Sequence, residues 1–144
     1  MPLDDSSLYH SSLADQIGGT HYKGGGIEPV FFAEVNGLPF CAANVLKYLV
    51  RHEKKGGRLD VEKALDYCRK AIALYDKSPA WKRHKGDEWA VIPALFVVSN
   101  ELTGNACSTA FAICDTFAHK LVALFAAERY LSAMLAEYPF KPDA

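Results

Sequence analysis

The stretch Asn105–Glu137, NACSTAFAICDTFAHKLVALFAAERYLSAMLAE, contains neither proline nor glycine. Within it Phe111, Cys114, Ala118, Leu121 and Phe125 recur at alternating spacings of three and four, the period of one helix face. A second apolar line, Ile113, Phe117, Leu124 and Leu131, occupies the neighbouring face. The stretch therefore predicts one long helix, or two, apolar over much of its circumference. A chain of 144 residues has little else with which to cover both faces. The sequence thus predicts a homo-oligomer built partly on this helix, with a central helix of a monomeric bundle as the alternative.

Moving towards the N-terminus, WAVIPALFVVSNELTG (89–104) reads as a buried strand or as a helix starting at Pro93, and its length and the helical pattern that follows favour the helix. The charged run AWKRHKGDEW (80–89) predicts a loop or a single helical turn. Before it, Val61, Leu65, Cys68, Ile72 and Tyr75 form an apolar stripe on a helix that Asp60 would N-cap and that stops near Ser78-Pro79. A further helix is expected from Phe40 to Lys55, with Cys41, Val45, Tyr48 and His52 on its apolar face and Gly56-Gly57 as its stop. Pro29 opens a short helix that ends near Asn36-Gly37, since proline at a first helical position loses no hydrogen bond. Residues 1–26, rich in Ser, Asp and Gly, read as an arm or loop. The expected fold is all-α: a single compact domain of about five helices over 27–144, divided into 27–77 and 88–138, with a long C-terminal helix used in oligomerisation.

Half of the residues are hydrophobic and 23% are charged, the balance of a packed globular domain. A net charge of -1 offers no overall field for DNA or an anionic membrane, so anion binding must be local, and no nucleic acid or membrane partner is expected. No signal-peptide pattern opens the chain and no apolar run is long enough to span a bilayer, which points to the cytoplasm. Cys41, Cys68, Cys107 and Cys114 form no CxxC pair and read as reduced, mostly buried thiols.

The concentrated chemistry lies between positions 40 and 58. Asn44, Lys47, Arg51 and Lys54 recur at helical spacing, and Glu53, off that line, is the only carboxylate between positions 41 and 59. Arg grips phosphate oxygens through two parallel donors, Lys adds a compact charge, and Asn bonds a phosphate or a base edge. The alternative is a solvated face whose charges pair with Glu62, Asp66 or the acidic N-terminus. Lys55 and Arg58 extend the cationic set across Gly56-Gly57. Those glycines fit turn or cap duty and Gly24-Gly25-Gly26 fits flexibility, because neither cluster belongs to a GxxxxGK[ST] loop or a GxGxxG turn. His21 and Tyr22 are candidates to contact a base, sugar or phosphate. Asp115 and His119, four apart, suit an intrahelical pair better than a metal, so no metal site is assigned. Carboxylate pairs at ExxE or ExxD spacing, as in helical nucleotide pyrophosphatases, do not occur, and neither does a GxSxG elbow.

Taken together, His21-Tyr22, Ile27-Glu28-Pro29, Asn36-Gly37-Leu38, Phe40, Asn44, Lys47-Tyr48, Arg51, Lys55, Gly57, Asp60, Lys63-Ala64 and Tyr67 resemble the signature of a small phage-encoded family, long catalogued as a domain of unknown function and commonly labelled phage nucleotide kinase. The resemblance covers roughly residues 20–75 and does not extend beyond Ser78. It departs at Ala43, where the family usually has Gly before the Asn. The resemblance implies a high-order oligomer in an infected bacterium and a deoxynucleoside monophosphate kinase without a Walker loop, with ATP as phosphoryl donor. Lys47 and Arg51 would clamp phosphate, Asn44 would orient it, and His21 or Tyr22 would meet base or sugar. Apart from the resemblance, Glu28 is the candidate to orient an accepting group in a phosphoryl transfer, with starting its helix as the alternative. A second reading is a non-catalytic sponge that sequesters a cyclic-nucleotide or ADP-ribose-type immune signal; a third is a helical protein-interaction module.

Overall fold

A computed structural model describes residues 25–83 and 88–139, and within them the chain forms six α-helices, two short 3-10 turns and no strand. The helices are α1 (Pro29–Asn36), α2 (Phe40–Arg51), α3 (Arg58–Ala73), α4 (Pro93–Ser99), α5 (Gly104–His119) and α6 (Leu121–Glu137), with 3-10 turns at Tyr75–Lys77 and Pro79–Lys82. The fold is all-α, as the periodicity predicts. The six helices agree with the expected count of about five, the C-terminal stretch forming two helices rather than one. His21 and Tyr22 lie outside the described residues.

Lys120 makes that division, with φ 60° and ψ -144°. A straight helix over 105–137 would reach roughly 50 Å at 1.5 Å per residue. Folding back at Lys120 instead sets Ile113 and Phe117 of α5 together with Leu124 and Leu131 of α6 in one core. The two helices run antiparallel, as the 3.0 Å hydrogen bond from Asn105 Nδ2, at the start of α5, to Glu137 Oε1, at the end of α6, requires. Much of the apolar surface expected to seek a second copy is thus covered by the chain's own hairpin.

The α2–α3 pair forms a second antiparallel hairpin, with α3 against α6 and α2 touching α5. Ala42, Val45, Leu46, Leu49 and Val50 of α2 point inward and are essentially buried, so Cys41 and Tyr48, expected on the apolar face, sit at its margin and are only half-buried. On α3 the inward residues are Val61, Ala64, Leu65, Cys68 and Ala71, while Ile72 is half-buried and Tyr75 falls beyond the helix end. Phe32 of α1, Trp81 and Phe96 of α4 close the core, with the Phe32 and Phe96 rings 4.5 Å apart and the Trp81 and Phe117 rings 4.9 Å apart edge-on. Burying each such side chain contributes about 1.5–3 kcal/mol.

Two buried asparagines fasten the peripheral segments. Asn36, fully buried, donates to the Val91 carbonyl and accepts from the Ala90 and Val91 amides, which ties the segment before α4 to the end of α1. Asn100 donates to the Ile27 carbonyl, and the Gly26 backbone passes so close that a Cβ there would lie 2.2 Å from Asn100 Oδ1. Close approach, rather than flexibility, accounts for the third glycine of the triplet.

Candidate functional site

Helix α2 ends at Arg51, four residues short of the expected Lys55, and a turn over 52–57 leads into α3. This shortening reorganises the cationic set. Lys54 and Lys55 lie in the turn, so Lys54 does not extend the Asn44–Lys47–Arg51 line. Asp60 is not the N-cap of α3. Gly57 is, at φ 55° and ψ -131°, a conformation that side chains strongly disfavour, and Asp60 sits one turn into the helix. From there its buried carboxylate accepts the Gly56 N–H at 2.8 Å and lies 3.6 Å from Arg51 Nε. The negative charge near the α3 N-terminus also suits the helix dipole.

Arg51 is therefore already partnered, and so is Arg58. The Arg58 guanidinium donates to the Leu135 carbonyl at 2.9 Å and the Tyr138 carbonyl at 3.3 Å, and its Nε lies 3.3 Å from Glu62. It caps the C-terminal end of α6, where a cation is favourable. These contacts give Arg58, expected among the nucleotide-binding cations, a structural role at the end of α6.

Lys47 stands differently. Among the described residues it has no carboxylate at ion-pair distance, and its Nζ lies 5.2 Å from the centroid of the Tyr48 ring. From α3, Lys63 brings a second ammonium to 5.4 Å from the same centroid, likewise without an acid partner among the described residues. The Arg51 guanidinium completes the ring of cations at 5.6 Å. Tyr48 stacks on Tyr67 at 6.0 Å and 13°, Tyr67 meets the edge of Phe40 at 6.1 Å, and Lys70 covers Tyr67 at 5.1 Å while pairing with Asp66. Cation–π attraction lowers the cost of crowding positive charge here but leaves the ammonium groups hydrated and able to meet an anion.

Beside this cluster opens a cleft of about 500 Å³ between α1 and α2. Its walls include Glu28 and Glu34 on one side, Asn44 and Lys47 on the other, and the apolar Val30, Leu38 and Phe40. Phe40 is 73% exposed, an unusual setting for a large apolar ring. The fold thus gathers three expected site residues, Glu28, Asn44 and Lys47, around one cavity. Asn44 Nδ2 donates to the Phe40 carbonyl, which leaves its side-chain oxygen for a ligand, and the Ala43 methyl lines the wall where the resembling signature has glycine. Glu28 precedes α1 and makes no side-chain capping bond.

Lys63, Tyr48, Tyr67 and Phe40 were not singled out as site residues by the sequence reading. Their signal is the pairing of two antiparallel helices, which brings Tyr48 of α2 next to Lys63 and Tyr67 of α3; these two are themselves four apart on one face. Asp115 and His119 lie exposed on the outer surface of α5 without an ion pair between them, so the expected intrahelical pair is not formed. Among the described residues no group of three or more His, Cys, Asp or Glu could hold a metal, and no helix is long and apolar enough to cross a membrane.

Residues 18–69 match a family model described as a protein of unknown function, DUF3310. The matched segment contains the α1–α2 cleft and, on α3, Lys63 and Tyr67. It stops at Arg69, so α4, α5 and α6 lie outside it. No curated protein and no solved structure matches the chain.

Proposed function

We propose that this domain binds a nucleoside phosphate, with the phosphate held between Lys47 and Lys63 and the nucleoside in the cleft between α1 and α2. One observation carries the reading: Lys47 both lines the cleft and shares the Tyr48 ring with Lys63, while neither lysine has a carboxylate partner among the described residues. Unpaired ammonium groups on two helices call for an anion that bridges them, and phosphate is the anion whose several oxygens can accept from both. The cleft beside them has the mixed character of a nucleoside site: apolar walls for a base, an exposed Phe40 to stack on it, and the Asn44 amide with the Glu28 and Glu34 carboxylates for polar edges and hydroxyls. Arg51, half committed to Asp60, adds positive potential rather than a full clamp.

Turnover asks for more than binding. In a phosphoryl transfer the cations would neutralise charge on the moving group, and Glu28 would orient the accepting hydroxyl. The sponge reading needs only the cations and the cleft. Incubating the full chain with nucleoside monophosphates and ATP, and separately with cyclic dinucleotides and cyclic ADP-ribose isomers, then denaturing it and identifying the recovered small molecules, separates the two. New nucleoside diphosphates establish a kinase, and a ligand depleted from solution but recovered intact establishes a sponge. Failure of every nucleotide to be retained or converted would refute the proposal and favour the interaction module.

A further inference from the structure

Helix α4 turns Phe96 and Val97 into the core against α5, yet its outer side is apolar as well. Ile92, Leu95 and Val98 stand there 50%, 54% and 74% exposed, in a row that at 1.5 Å per residue runs about 9 Å. From Ala90 to Asn100 the chain carries no charged residue. The outward side of a surface helix is ordinarily polar, so a row of large apolar side chains without a charge beside them marks a surface that something covers.

The chain itself supplies the occupant. Its first 24 residues lie outside the described residues, and they join the fold at the C-terminal end of α4. There Ile27 donates its N–H to the Ser99 hydroxyl at 3.0 Å and its carbonyl accepts from the Asn100 side-chain amide at 2.9 Å, one and two residues beyond Val98. Within the first 24 residues Tyr9, Leu13 and Ile17 recur at every fourth position, a spacing that gathers side chains on one side of a helical segment. Residues 6–14, SSLYHSSLA, match α4 in carrying no Lys, Arg, Asp or Glu. Ile17 and Gly25 are eight residues apart, which reaches about 28 Å when extended and so spans the row with length to spare. So short a tether holds the segment at an effective concentration on the order of millimolar, an advantage that no separate partner has, and a weak apolar contact then suffices to seat it.

We propose that residues 9–17 dock along the outer side of α4, with Tyr9, Leu13 and Ile17 against Ile92, Leu95 and Val98. This docking ties residues 18–24 down at both ends, at Ile17 and at Ile27; those residues include His21 and Tyr22, and the chain runs on from them to Glu28 on the cleft wall. It does not depend on what the cleft binds.

Hydrogen exchange followed by mass spectrometry on the full chain tests the proposal. In the wild type the amides of residues 9–17 should exchange about tenfold slower than those of an unstructured peptide. Leu95→Asp and Val98→Asp should each return them to unstructured rates while α5 and α6 keep their protection. Where Leu95→Asp also loosens α5, Val98→Ser makes the same test at the more exposed position. Unprotected residues 9–17 in the wild type would overturn the proposal, and so would protection that survives both α4 substitutions, because the segment then rests elsewhere. Protection that disappears on dilution would assign the contact to a second copy and overturn it equally.

Discussion

Lys63 of α3 holds its ammonium 5.4 Å from the centroid of the Tyr48 ring on α2, on the ring that Lys47 also approaches at 5.2 Å. An anion taken up by this pair would connect the two arms of the α2–α3 hairpin, so ligand binding should stabilise the native state in proportion to its occupancy. Thermal unfolding followed with increasing nucleoside monophosphate should show a rising midpoint in the wild type and little change in Lys47→Ala/Lys63→Ala.

Arg58 distinguishes a structural cation from those of the proposed site. Because its guanidinium serves the Leu135 and Tyr138 carbonyls, Arg58→Ala should cost about 1 kcal/mol of stability and leave nucleotide affinity within experimental error. Urea unfolding and calorimetric titration of the same variant measure both. A loss of affinity without a loss of stability would return Arg58 to the site.

His52 gives the fold a pH dependence. It is buried, shares a hydrogen bond with the Tyr138 hydroxyl, and burial holds its pKa below the ordinary 6.5 despite the opposing charges of Glu53 and Asp60. The unfolded chain takes up the proton first as pH falls, so the stability linked to His52 is fully present above about pH 6.5 and declines as pH drops towards the folded value. Denaturant midpoints at about pH 8 and about pH 5 should differ less in His52→Gln than in the wild type.

Lys120 and Glu101 both adopt positive φ, 60° and 57°. Neither has the glycine that such a conformation favours, so Lys120→Gly and Glu101→Gly should each raise stability, by about 1 kcal/mol. Differential scanning calorimetry would register this as a higher melting temperature, larger at Lys120, whose ψ also lies outside the left-handed helical region.

The cysteines divide by burial. Cys68 donates to the Leu124 carbonyl and its thiol is pushed up to about 12, while Cys114 is raised further by burial in α5. Only Cys41 and Cys107, both half-buried, should react with a maleimide on the native protein, and all four in denaturant; mass spectrometry would count the adducts.

Much of this was legible in the sequence because it rests on local chemistry. Pro29 and Pro93 mark true helix starts, and Gly37 in left-handed geometry ends α1 as its position implies. The break at Lys120 was not legible, since no proline, glycine or capping residue signals it; packing of Ile113 and Phe117 against α6 decides it. Asp60 looked like a cap because a carboxylate before an apolar stripe usually is one, whereas two preceding glycines let the helix begin three residues earlier. At the site, the α2 stripe revealed Asn44 and Lys47, which a single helix determines. Lys63 and Tyr67 depend on which helix pairs with which, and so do the contacts of Arg51 with Asp60 and of Arg58 with the α6 carbonyls, which are made across turns or between distant segments.

The most direct test is the affinity of a nucleoside monophosphate measured by isothermal titration calorimetry for the wild type, Lys47→Ala, Lys63→Ala and the double variant. Binding by the wild type, with each single substitution costing about tenfold and the double costing less than the sum of the two free energies, is what a phosphate shared by the two ammonium groups predicts. Wild-type affinity retained by Lys63→Ala would contradict the assignment of the phosphate to this pair.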